Sequence, residues 1–344
     1  MKGRWDVRRE VNSEVNSEVN QGLSSRRSAI ARLMAMLVAS GSGAAKLAHA
    51  AAPVTLVVPF SAGSAVDMVG RKLAQLMPDG QADAFLVQNV TGGGGVIAVN
   101  EVIKRQALGN TLLMATSGLI CNTPHLVKAP TGFSTATDLV PICTLANVPL
   151  LLVAHKNSKA NNLAQFQVLA QQSGSPLTYA AEDIGSANHI AGELLLKRLQ
   201  VQATHVPYRS PQGVVDLAAD RLSFGINSWK NLAPFLEHGD LKVLSVLSNT
   251  RMKNLPNSPT VQEQGFGRFD HEGWIGLFVA KEAPFGFIRE CEQKIESYLK
   301  DPDFKDIFVN VGLIPAYRNH EESKLFVASE IRKSKDVLHS IGMA

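Results

Sequence analysis

The sequence predicts an α/β protein made of two α/β domains, joined by a two-stranded hinge with a ligand cleft between them. Three observations lead there. Short apolar, β-branched runs alternate with amphipathic helical runs from Val54 to the end of the chain. After two consecutive strand-like runs, Pro141–Leu145 and Leu150–Ala154, the alternation starts again near Asn162. Small and polar residues collect where strands end and helices begin, the edge at which open α/β sheets bind ligands.

The run Val54–Val58 reads as a buried strand, and Pro59 ends it because proline has no N–H for a sheet ladder. Ser61, Ala62, Gly63 and Ser64 are small, so backbone there can approach a guest closely. Asp67 stands where a helix should begin, with Met68, Val69, Leu73, Leu76 and Met77 on its inner face. A strand, a small-residue turn and a helix N-terminus together offer an anion site. Ala84–Gln88 is the second strand, followed by Gly92 to Gly95 and a helix carrying Val96, Val99 and Val102. No Gly-Lys-Ser/Thr follows these glycines and G-x-G-x-x-G is not matched, which excludes a P-loop and a dinucleotide fingerprint. Thr111–Ala115 is a third strand, ending in Thr116-Ser117-Gly118.

In the second half a helix from Leu163 to Ala170 leads to the strand Leu177–Ala180, then to Glu182-Asp183-Ile184-Gly185-Ser186-Ala187-Asn188-His189 and a helix through Leu199. The strand Thr204–Val206, a helix from Pro211 to Ala219, and the strands Leu222–Ile226 and Lys242–Leu247 follow. Trp274–Ala280 reads as a strand returning to the first domain, and helices Phe287–Leu299, Pro302–Val311 and Glu321–Ile341 close the chain. The division is therefore 51–150 with 274–344 as domain 1 and 151–273 as domain 2.

The formal charge of +4 belongs to the leader: residues 1–50 carry eight basic and four acidic side chains, leaving 26 of each sign elsewhere. A neutral remainder gives no case for nucleic acid. Residues 1–24, with Val-Asn-Ser-Glu written twice from Val11, read as an unstructured extension. Residues 25–50 read as an export signal, twin-arginine or general secretory, with Arg26-Arg27, an apolar run Leu33–Ala39 and Ala48-His49-Ala50 for cleavage. A chain starting near Ala51 is expected in the bacterial periplasm. Cys121, Cys143 and Cys291 lack metal-site spacing. A Cys121–Cys143 bridge and three buried apolar thiols both fit, the second better.

The motifs resemble those of the Bug family, the solute receptors of tripartite tricarboxylate transporters. They are Pro59-Phe60-x-x-Gly63-x-x-x-Asp67, Asn89-x-x-Gly92-x-Gly94-Gly95, Thr111 to Gly118, and Leu177-Thr178-Tyr179 with Gly185-Ser186-x-x-His189. His205-Val206-Pro207-Tyr208 and Pro256-x-x-Pro259-Thr260-Val261-x-Glu263-x-Gly265 complete the set. The resemblance covers essentially everything after Pro53. It implies a type II-like periplasmic binding protein with no cofactor and no catalysis. It further implies a monomer that holds a small carboxylate, a monocarboxylate, amino acid or dicarboxylate, and works with tripartite tricarboxylate transporter membrane subunits. Carried over, Phe60, Ser61, Ala62, Gly63 and Ser64 take one carboxylate. The loop of Ala181, Glu182, Asp183, Gly185, Ser186 and His189 takes the far end of the ligand, and Thr116, Ser117, Tyr208 and Asn227 line the cleft.

Glu182 and Asp183 stand where the family has a small residue and a glycine. If they face inward they oppose a second ligand anion, which points to a monocarboxylate; if they face outward they are solvated. His189, at a helix start with no second ligand at metal spacing, reads as a structural or polar-contact residue. Asp67 reads as a helix cap, with an ammonium contact as the alternative. Trp274, in an apolar run, reads as core, and Trp229 as core or cleft wall. A hydrolase is disfavoured, because no G-x-S-x-G elbow exists. A sensor for a membrane signalling protein uses the same fold and is not separable by sequence.

Overall fold

The computed structural model describes residues 53–77, 85–105, 109–126, 132–208 and 212–343, which belong to one compact unit. The expected extension (1–24) and export signal (25–50) lie outside the described residues. The elements in chain order begin β1 (Val54–Val58), α1 (Ala65–Leu76), β2 (Phe85–Asn89), α2 (Val96–Lys104) and β3 (Thr111–Thr116). A π-helical turn, Gly118–Asn122, runs into α3 (Thr123–Leu126), followed by β4 (Leu139–Val148) and β5 (Leu150–His155). Next come α4 (Leu163–Gln171), β6 (Leu177–Ala181), α5 (Ala187–Leu199), β7 (Ala203–Pro207), α6 (Gln212–Ala218), β8 (Phe224–Ser228), α7 (Trp229–Glu237) and β9 (Leu241–Leu247). The chain ends with β10 (Gly273–Ala280), α8 (Phe285–Tyr298), α9 (Pro302–Asn310), β11 (Ile314–Arg318) and α10 (His320–Ser340).

These strands form two sheets, ordered β11-β4-β10-β3-β1-β2 and β7-β6-β8-β5-β9. Both follow one plan. A parallel trio (β2-β1-β3, and β7-β6-β8) meets a strand running the other way, β10 in the first sheet and β5 in the second. The sheets are thus mixed and not purely parallel. β1 and β6 are the middle strands of their trios, so the loops that follow them sit at topological switch points.

Side chains alternate across each sheet, as a two-residue period demands. Leu56, Val58, Leu112 and Met114 join α1, α8 and α9 in one core, while Val57, Leu113 and Ala115 face α2, Trp274 and Val327 of α10. In the second sheet Leu150 and Leu152 pack with α4 and α5, and Leu151 and Val153 with α6 and α7. Trp274 is core, as expected. The three cysteines are buried free thiols, so the Cys121–Cys143 bridge is absent here; these two lie in different core clusters.

The chain leaves the first sheet between Val148 and Leu150 and returns at Gly273, and the two crossing strands pair there, Gly273 beside Val148 and Trp274 beside Asn147. Glu272 ties the crossing together: Asn147 Nδ2 donates to one carboxylate oxygen at 3.1 Å and the Asn249 N–H to the other at 2.9 Å. Four elements were not expected from the sequence, the short α3 among them. β11 contains Pro315, tolerable because this strand is at the sheet edge. α7 contains Pro234, and the π-helical turn replaces what reads as loop. β8 begins at Phe224 and not at Leu222.

β10 separates β3 from β4 and carries a bulge at Ile275/Gly276. A Cβ at Gly276 would lie 2.7 Å from the Cys143 carbonyl oxygen, which is backbone and cannot swing aside. Gly276→Ala is expected to destabilise by about 2–3 kcal/mol, seen as a fall of several degrees in Tm. Gly286→Ala, on α8 with open space around it, is expected to leave Tm unchanged or slightly raised.

Candidate functional site

Two turns of the same construction follow β1 and β6. In the first, Gly63 takes φ +83° and Ser64 is the helix N-cap, its Oγ accepting the Asp67 N–H at 3.2 Å. The Gly63 N–H donates to Asp67 Oδ2 at 2.8 Å. In the second, Gly185 takes φ +86°, Ser186 Oγ accepts the His189 N–H at 3.2 Å, and the Gly185 N–H donates to His189 Nδ1 at 3.1 Å. Glycine is required at both, because a side chain at that φ is strained. Each helix keeps its first two N–H groups, Ala65 and Val66 or Ala187 and Asn188, without an intrahelical partner.

The cap of α1 is therefore Ser64; Asp67 is the third helical residue and supports the cap from behind. It is 1 % exposed, and both of its oxygens are engaged. Oδ2 accepts from Gly63 and from Arg71 Nε at 2.9 Å, and Oδ1 accepts from Asn89 Nδ2 at 2.8 Å. Burial alone would raise its pKa, but the hydrogen bonds from Arg71, Asn89 and Gly63 outweigh that and hold the carboxyl below its usual range. Asn89 Nδ2 also donates to the Phe60 carbonyl at 2.9 Å, so the end of β2 braces the turn. Phe60 packs on the first core, while Ser61, Ala62 and Gly63 are exposed. Arg71 and Asn89 are supporting residues that the sequence analysis did not name as such; the i,i+4 spacing of Asp67 and Arg71 was the available signal for the first.

The second turn is electrically different. His189 accepts from Gly185 at Nδ1, so its proton sits on Nε2, which faces Glu193 Oε1 at 3.8 Å. Burial, with repulsion from His205, brings its pKa down to about 4. Its ring stacks on His205 with centroids 3.9 Å apart, and the column continues through Tyr179 to Phe224. Tyr179 Oη donates to Glu193 Oε1 at 2.6 Å. Burial also lowers His205, so the imidazole pair is neutral near pH 7. The polar-contact reading of His189 thus has a concrete form: it holds the turn. Glu182, after Ala181 ends β6, is half-buried, and burial with the nearby charge of Asp183 pushes its carboxyl up to about 7.

The other expected residues sit at neighbouring strand ends. Thr116 ends β3, and Ser117 Oγ accepts the Trp274 N–H at 3.3 Å. The Tyr208 N–H donates to the Ala181 carbonyl and its hydroxyl to Asp216 Oδ2 at 2.9 Å. Asn227 Oδ1 accepts from the Ser228 N–H and from Asn231 Nδ2 at 2.8 Å. The structure thus gathers Phe60 to Ser64, Asp67, Thr116 and Ser117 on the first sheet's edge, and Ala181 to His189, Tyr208 and Asn227 on the second's. Trp229 lies against Gly312, a contact between the two halves. A surface groove of about 1060 Å³ lies elsewhere, beside Leu196, Lys197 and Ser340, and holds none of the expected ligand residues. Among the described residues no group of three or more His, Cys, Asp or Glu is placed to hold a metal ion. No described helix is long and apolar enough to cross a membrane.

Comparison with known proteins is consistent with this architecture. The protein BugT of Bordetella pertussis is 26% identical over 295 residues, covering 86% of this chain and 90% of its own. The periplasmic binding protein BugD superposes with a TM-score of 0.76 at 26% identity, covering 85% of this chain and 98% of its own. R. palustris Rpa4515 with adipate superposes with a TM-score of 0.78 at 27% identity, covering 85% and 97%. The fold is that of a periplasmic binding protein. The model of the tripartite tricarboxylate transporter family receptor matches residues 69–343. The chain belongs to this family of solute-binding receptors, which are not enzymes.

Proposed function

We propose that the chain is a periplasmic receptor that captures a small carboxylate between the C-terminal edges of its two sheets, closes on it, and delivers it to a tripartite tricarboxylate-type membrane transporter. The two bodies that close are residues 51–150 with 274–344, and residues 151–273, and the receptor acts as a monomer without a cofactor. The observation that carries this reading is the turn Ser61–Val66. It is exposed at its tip, it is held rigid from behind by Asp67, Arg71 and Asn89, and it leads into two helix-terminal N–H groups. Such donors take a carboxylate without any cationic side chain. Phe60, Ser61, Ala62, Gly63 and Ser64 are the proposed cradle, with Thr116, Ser117, Tyr208 and Asn227 nearby.

The far end of the ligand meets the loop Ala181–His189, where Glu182 replaces a small residue. An ionised Glu182 disfavours a second anion there; a protonated one donates a hydrogen bond to it. A structural relative holds adipate, a dicarboxylate, so charge at the far end is the discriminating variable. This chain is expected to prefer a monocarboxylate, or one with an amine or amide at its far end, above the Glu182 titration.

Three outcomes follow. Ala65→Pro places proline at the first helical position, where it fits, after a Ser64 already at φ −65°, ψ 161°. It removes one donor and leaves the helix intact, so Tm is expected to hold while affinity for carboxylates found by thermal-shift screening falls by about tenfold or more in calorimetry. Dicarboxylates such as adipate are expected to bind more weakly at pH 8 than at pH 6, and Glu182→Gln is expected to flatten that dependence. Because the folded pKa of Glu182 is raised to about 7, the folded chain binds the extra proton between about pH 4.5 and 7, so stability falls as pH rises through that window. Glu182→Gln is therefore expected to melt higher than the wild type at pH 8, by about 2 °C after solvent screening, with the two converging near pH 4.

A further inference from the structure

The two halves touch directly along a seam that starts at the strand crossing. Nearest the crossing, Ala187 packs on Gly273: a Cβ at Gly273 would lie 3.4 Å from that of Ala187. Further out, a Cβ at Gly118 would lie 3.3 Å from the Ala187 nitrogen, 3.5 Å from Ser186 Cα and 3.6 Å from the Gly185 carbonyl oxygen. All three are backbone atoms of the opposite half and cannot rotate away. Gly118 lies within the π-helical turn and has no left-handed φ, so a side chain there is limited by this close approach, which a few tenths of an ångström of separation would relieve. Beyond it, Asn122 Nδ2 donates to the Gly185 carbonyl oxygen at 2.9 Å in a buried bond across the seam. Asn122 is 3 % exposed, and its Oδ1 accepts from Ser334 Oγ of α10 at 2.5 Å, which fixes which end of the amide faces Gly185. At the outer end the tip of the Leu126 side chain packs against Gly185.

We propose that Asn122, oriented by Ser334 and admitted by Gly118, is a positioning residue that latches the Gly185 turn to the first half and thereby sets how tightly the receptor holds its ligand. This rests on the closing-cleft reading above. A ligand that binds between the two turns selects the conformation in which they face each other, so any contact present only in that conformation adds to the observed affinity through the closed population. Asn122 supplies such a contact from outside the residues proposed to hold the ligand. Removing it leaves the Gly185 carbonyl and the Ser334 hydroxyl without partners inside a closed seam and with water as partner in an open one.

The test measures the distance between the halves in the ligand-free chain. Spin labels go on Leu86→Cys of β2 in the first sheet and Val168→Cys of α4, which packs on the second, 52 % and 49 % exposed. The native thiols are buried, with burial raising the pKa of each and pushing Cys291 up to about 12, so they stay unlabelled. Pulsed dipolar spectroscopy is expected to give a short and a long distance. Asn122→Ala is expected to raise the long population about fivefold to tenfold relative to the short one. Gly118→Ala, which a helical backbone accepts, is expected to do the same by wedging the seam, and Ser334→Ala to act in the same direction more weakly. Two distances with unchanged populations in Asn122→Ala and Gly118→Ala would overturn the latch and leave closure standing. One distance, unchanged in every variant, would overturn both.

Discussion

A helix that starts at the end of a buried strand carries backbone N–H groups that nothing inside the helix can satisfy, and this chain meets that constraint in the same way twice. After β1 and again after β6, a left-handed glycine turns the chain, a serine caps the helix, and the side chain of the third helical residue reaches back to the glycine N–H. The cap and the reach-back satisfy two donors and fix the turn's shape. The next two donors, at the first two helical residues, have no partner inside the helix. The layout of both sheets serves this arrangement, because β1 and β6 lie in the middle of their parallel trios, where flanking strands hold the turn from both sides.

The third helical residue gives each turn its electrical character. Asp67 is an anion locked by Arg71, Asn89 and Gly63, so its charge is spent inside the protein and does not repel a guest at the turn. His189 performs the same mechanical task as a neutral ring, stacked on a second neutral imidazole. The first turn is therefore suited to an anion. The second is bordered by Glu182, whose carboxyl titrates near neutrality, and its leading N–H lies under Gly118. A cleft built from these two faces is asymmetric even though its backbone is nearly repeated.

Much of this was legible in the sequence where it depends on local pattern. Val54–Val58 matches its strand residue for residue, and the helices after Gly63, Gly95 and Gly185 start within a few residues of where the small residues end. What was not legible depends on partners far apart in the chain. Nothing near Asp67 announces Asn89, and nothing near Asn122 announces Gly185 or Ser334. The stacking of His189 on His205 requires the register that pairs Tyr179 with His205. Two elements were hidden by proline: β11 by Pro315, which an edge strand tolerates, and α7 by Pro234. The burial of Glu182 follows from how the loop packs, which no spacing encodes.

The insertion of β10 between β3 and β4 has a consequence for how the molecule is assembled during synthesis. The second sheet is built from one uninterrupted stretch of chain, Leu150–Leu247, and its pairings are complete once β9 has been made. The first sheet is different, because its central position stays empty until Gly273–Ala280 arrives, and α10 then covers one of its faces. Pairings so distant in sequence are slow to form, and until they form β3 and β4 are both open edges of the kind that recruit other strands. The nascent chain therefore carries a finished second half and an unfinished first half until its last helices are made. Its period of greatest aggregation hazard is set by one strand's late place in the sequence.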